Sequence, residues 1–158
     1  MQSLNSGKKW RRMKIWFDMT ELNKQNKDPK RVAFYKKVFE IVGKWWEEAV
    51  WINDDHMKTI EEVKSAMDAG YVTDFHVTHG HWKDYDLLIH SKMAPTDGGT
   101  LAWAGPLYRH PTTQRPVTGT AAVCWFGDKN FRKASDSINR AVGIIIHEFG
   151  HVMAFIFY

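Results

Sequence analysis

The chain has 158 residues, 44% of them hydrophobic and 14% aromatic, and a formal net charge of +4. That length and composition suit one folded domain with a real core and exclude a disordered chain. Cys124 is the only cysteine, which excludes an intrachain disulfide scaffold, and the N-terminus has no apolar signal-peptide core.

The run "KKWRRMK", Lys8 to Lys14, carries much of the positive charge. It could touch RNA, DNA or anionic lipid. We read residues 1–12 as a solvated basic arm, with no nucleic acid expected, since Trp10 alone is no stacking platform. "MKIWFDM", 13–19, alternates and is rich in aromatic and branched residues, which predicts a strand. "TELNKQNKDP" reads as a polar loop. Pro29 can open a helix, and "KRVAFYKKVFEIVGKWWEEAVWI" follows it. Val32, Tyr35, Val38, Phe39, Val42 and Trp46 recur at helical spacing, predicting one amphipathic helix with an aromatic core face.

Thr59 with Glu62 three residues on is a capping-box pattern that would start a short helix ending near Gly70. "YVTDFHVTHGHWKD" reads as loop. Its His76, His79 and His81 lack an acidic neighbour at ligand spacing, so a polar loop is preferred to a second metal cluster. "YDLLIHSKM", 85–93, predicts a buried strand and "APTDGG" a turn. "TLAWAGPLY" predicts a second strand, with Pro106 marking a sheet edge. "RHPTTQRP" is a loop. "TGTAAVCWF", 118–126, predicts a third strand, with Cys124 as an inert core thiol. The last helix would be capped by Ser135 or Asp136 and run to the end. Ile138 to Tyr158 is long and apolar enough to suggest a membrane span, but His147, Glu148 and His151 in its middle favour a buried helix. The strand–helix–helix–strand–strand–strand–helix order predicts an α/β (α+β) sandwich: a twisted mixed sheet with an antiparallel edge strand and two long helices.

That last helix contains "HEFGH", residues 147–151. At about 100° per residue, Ile138, Val142, Ile145, Phe149, Val152 and Ile156 form one apolar stripe. His147 and His151 fall opposite it, separated by about 40°. Two imidazoles one turn apart and aimed alike are what a pair of zinc ligands requires. Glu148 lies about 100° round from His147, beside the ligands and free to act on water. Two histidines on an exposed face would have no such role. Against that, the helix is strongly apolar, so polar groups in it need partners, and a metal supplies one. Gly143 and Gly150 suggest close backbone packing around the pair. No Gly-rich phosphate loop and no G-x-S-x-G pattern is present.

"HEFGHVMAF" resembles the active-site helix of leishmanolysin-type zinc peptidases, a metzincin branch whose third histidine is displaced by a long insertion. "YDLLIHSKMAPTDGGTLAWAGPLYRHPTTQRPVTGTAAVCW" is similar to the stretch preceding that helix in the family, where "D-L-L", "L-A-W-A" and "P-x-x-G" strands follow in order. The likeness is specific from about 84 to 155 and looser from 13 to 52. It implies a zincin-like catalytic subdomain over 13–158, incomplete at its C-terminus. It also implies zinc held by His147 and His151, and Glu148 as general base in peptide-bond hydrolysis.

The third histidine and the methionine turn would then lie beyond residue 158. The edge strand, with Thr100, Leu101, Ala102, Trp103 and Ala104, would bind a protein or peptide substrate as an added strand. Where the family carries Gly three residues after the second histidine, this chain has Ala154, and the family's cysteines before the helix are missing. The family implies an extracellular or membrane-associated setting for the full-length protein. A single cysteine and no apolar leader do not add to that. The alternative is a non-catalytic binding or adhesion module that keeps the peptidase fold.

Overall fold

The computed structural model describes residues 10–25, 28–52, 56–70, 84–94, 101–124 and 134–153. Among these, ten elements follow in the order β1 (Arg11–Arg12), β2 (Ile15–Asp18), α1 (Thr20–Gln25), α2 (Pro29–Ala49), β3 (Trp51–Ile52), α3 (His56–Asp68), β4 (Leu87–Ala94), β5 (Ala102–Arg109), β6 (Pro116–Cys124) and α4 (Ala134–Val152). The fold is mixed α/β, with one mixed four-stranded sheet and one two-stranded ribbon.

The main sheet has the order β2-β4-β6-β5. β2, β4 and β6 run parallel, and β5 lies antiparallel to β6 at the edge. Pro106 sits in that edge strand, where a missing N–H costs least. Helices α2 and α4 cover one face. Tyr35, Val38, Phe39, Val42 and Trp46 of α2 meet Ala141, Ile145, Phe149 and Val152 of α4 over Leu87, Ile89, Ala121 and Val123 of the sheet. Phe149 is central, its ring 5.7 Å from Phe17 and 5.9 Å from Trp46. A smaller cluster on the α3 side holds Val63, Ala66, Leu88 and Val117.

α2 begins as its sequence suggests: Asp28 caps it through a 3.0 Å bond accepted from the Lys30 amide, with Pro29 in the first turn. Its apolar stripe could not show where it stops. The helix ends at Ala49 rather than continuing through Ile52, because Val50 to Ile52 turn to pair with β1; the Met13 amide bonds the Val50 carbonyl at 3.1 Å. The polar segment read as loop after β2 contains α1. The Asp18 carboxylate accepts from the Thr20 amide and hydroxyl at 3.0 and 2.7 Å, and Leu22 is fully buried.

Thr59 is interior to α3, not its cap, since the helix begins at His56. Its C-terminus falls where expected, with Gly70 at φ 82°. Glu62, taken from sequence for a cap partner, is 1% exposed and faces the β5–β6 turn. There it accepts from Arg115 Nε at 2.6 Å and Thr113 Oγ1 at 2.8 Å, while Arg115 Nη1 donates to the Asp86 carbonyl at 2.6 Å. Helix α4 starts at Ala134, so neither Ser135 nor Asp136 precedes it.

The basic run is not wholly an arm. Arg11–Arg12 pair antiparallel with Trp51–Ile52. Arg11 donates two bonds, 2.7 and 2.6 Å, to Asp86, a buried carboxylate that also accepts from the Lys14 amide.

Candidate functional site

α4 lies along β5 and β6 with its apolar stripe inward, and this fixes where its remaining residues point. Ile145, Phe149 and Val152 are buried, so His147 and His151 are carried outward. Their ring centres are 5.4 Å apart, with the planes nearly perpendicular. A zinc ion held at about 2.0–2.1 Å by one nitrogen of each ring, at a near-tetrahedral angle, would set the ring centres about 5 Å apart. The separation of the two rings is thus compatible with both serving one metal ion. Glu148 is 22% exposed, and its Oε2 is 4.0 Å from His151 Nε2. It stands beside the pair, within reach of a small molecule held there.

The histidines are not buried groups in need of a partner. His147 is exposed and His151 is 44% exposed, because the strongly apolar helix still leaves one face open. Gly143 and Gly150 do not mediate close packing either, since a Cβ built on either meets nothing within 4 Å. The glycines that do allow close approach are elsewhere. A Cβ on Gly43 would lie 2.6 Å from the Phe17 ring, and one on Gly119 would lie 2.9 Å from Val152 Cγ1. Gly119 thus seats the end of α4, next to His151, against β6.

An open cleft of about 480 Å³ adjoins His147 and Glu148, and Leu101, Ala102, Gly143 and Ile144 complete its lining. It joins the start of the edge strand to the polar face of α4. Of the five residues assigned to substrate from sequence, Leu101 and Ala102 line this cleft. Ala104 and Trp103 are not in its lining. Strand alternation takes Trp103 to the other face, where Lys92 Nζ lies 4.8 Å from its ring centre. Thr100 lies outside the described residues, as do His76, His79, His81 and Ile156. Gly143 and Ile144 were not singled out as cleft residues. The available signal was the spacing of Gly143, one turn before His147, which leaves space where a side chain would narrow the cleft.

Among the described residues no group of three or more His, Cys, Asp or Glu is arranged to hold a metal. His90 stands on β4 in register with Asp18 and Thr120. His110 is in the β5–β6 turn, where its Nδ1 accepts from the Thr113 amide at 3.4 Å and lies 3.9 Å from Glu62. Neither joins the helix pair in such a group. No described helix is long and apolar enough to cross a membrane.

Comparison with known proteins finds no family model, no curated protein and no solved structure that matches this chain.

Proposed function

We propose that this chain is the N-terminal part of a zinc-dependent metalloendopeptidase domain of the leishmanolysin-like metzincin kind. The observation that carries the reading is the pairing of two outward imidazoles 5.4 Å apart with Glu148 beside them, next to a cleft that opens onto an antiparallel edge strand. His147 and His151 would hold the metal. On the likeness of "HEFGHVMAF" to that family, the third histidine would lie downstream of residue 158.

Zinc in such a site supplies Lewis-acid polarisation of the scissile carbonyl and a water acidic near neutral pH. The protein's own groups do the rest. The outer edge of β5, which pairs with no other strand among the described residues, offers main-chain donors and acceptors to an extended peptide, which binds as a further strand and lays its backbone towards Glu148. The Glu148 carboxylate takes the proton from the attacking water and returns it to the leaving amine. Gly143, with no side chain, leaves room in the cleft beside His147.

The test uses a form of the protein that includes the downstream histidine, with a denatured protein as substrate. Cleavage stopped by a chelator is expected. Glu148→Gln should retain zinc and lose turnover, since the glutamate serves as base and not as ligand. The 158-residue chain alone should bind zinc weakly and cleave little, because each lost ligand removes a bond and a constraint. Equal cleavage by wild type and Glu148→Gln would remove Glu148 from the mechanism. Zinc binding without any cleavage would leave the binding or adhesion module as the better reading.

A further inference from the structure

The β1–β3 ribbon presents two unlike faces. Inward, Ile52 is 7% exposed and Arg11 is held by Asp86. Outward, the Arg12 guanidinium carbon lies 5.3 Å from the centre of the Trp51 ring, and Trp51 is 51% exposed. Trp10, the residue just before β1, is 59% exposed. A third tryptophan, Trp45, is 47% exposed on the last two turns of α2, the helix that leads into β3. Among the described residues, three of the five exposed large hydrophobic side chains are these tryptophans.

The sequence that leads into β1 is also strongly basic. The first 17 residues hold five lysines and arginines and no acidic residue, so all of the net positive charge resides there. Only Arg11 among the described members of that set is neutralised by a buried carboxylate.

We propose that the outer face of this ribbon docks on an anionic lipid surface, with Trp10 and Trp51 in the headgroup layer and Arg12 and Lys14 on lipid phosphates. Indole rings partition to the membrane–water boundary because they combine a large apolar body with one polar N–H. Basic residues beside them add a charge term that salt screens. Two alternatives fit less well. A single-stranded nucleic acid is held by several rings along a basic groove, and a ribbon of two strands of two residues forms no groove. A stable protein partner needs about 800 Å² from each side, far more than two strands of two residues present. This docking is independent of the peptidase reading and needs no metal.

The test is co-sedimentation of the full chain with vesicles of phosphatidylcholine alone and with about 30% phosphatidylserine. Binding to the anionic vesicles only, lost in about 1 M salt where screening is nearly complete, is expected. Arg12→Gln should weaken it about fivefold. The pair Trp10→Ala/Trp51→Ala should weaken it by roughly tenfold or more, as buried apolar area is lost. Near-UV circular dichroism checks that each variant keeps its fold; the ribbon's inner face is untouched, so it should. Binding unchanged in the tryptophan pair would overturn the proposal in favour of non-specific attraction to the basic run. So would equal binding to neutral vesicles, or tighter binding to a single-stranded oligonucleotide than to the vesicles.

Discussion

Gly119→Ala tests how closely α4 is seated on the sheet. A methyl group there would lie 2.9 Å from Val152 Cγ1, 3.0 Å from the Gly105 carbonyl oxygen and 3.1 Å from Ile89 Cδ1. Each contact is several tenths of an ångström too short, and little can give way. The Gly105 oxygen belongs to the backbone of β5, which is paired with β6. Val152 is β-branched with a stiff side chain. Overpacking of this kind costs typically 1–3 kcal/mol. The smaller entropy of the unfolded alanine chain offsets about 0.4–1 kcal/mol of that. The net loss is about 1–2 kcal/mol, or roughly 3–6 °C in Tm for a domain of this size.

The control is Gly105→Ala, nearly opposite on the neighbouring strand, where a new Cβ meets nothing within 4 Å. It should leave Tm unchanged or slightly raised. Thermal and urea melts followed by circular dichroism read both. Because Val152 follows His151, Gly119→Ala should also weaken metal binding by displacing the last turn of α4, while Gly105→Ala should not. A Gly119→Ala protein as stable as its parent would refute the placement of α4 against β6.

Gly150→Ala should stabilise the protein by up to about 1 kcal/mol in a urea melt, since helix propensity is gained and no neighbour is met. Glu62→Gln should cost about 2–4 kcal/mol in the same assay, because it removes the buried carboxylate charge that pairs with the part-buried Arg115. His147→Ala and His151→Ala should each remove most zinc binding measured by calorimetry, whereas Glu148→Gln should preserve it. Glu40 is exposed, and hydrogen bonds from Lys44 and then Lys37 hold its carboxyl below the ordinary 4.5. Its ion pairs therefore act above the unfolded pKa and are lost as pH falls through the folded one. A carboxyl titration by NMR should show the midpoint rising towards 4.5 in Lys44→Ala.

The repeats of the sequence determined what depends on near neighbours. The apolar stripes of α2 and α4 show at helical spacing, and burial of Tyr35, Phe39, Ile145 and Phe149 follows them. The apolar run of β4 and Pro106 in β5 identify an interior strand and an edge strand. The outward pairing of His147 and His151 follows from one-turn spacing opposite a buried stripe. Only the tertiary structure decided what depends on partners far along the chain. Arg11 looked like part of a solvated arm, and Asp86, 75 residues away, folds it onto the body. Glu62 fitted a local capping box, but Arg115, 53 residues on, holds it instead. α2 stops at Ala49 because β1 offers Trp51 and Ile52 a strand to pair with. Gly143 and Gly119 look alike in sequence; one leaves a cleft open and the other admits Val152, a difference set by what lies across the gap. Periodicity records which face of an element is apolar, while the partner that meets each face is chosen by packing over the whole chain.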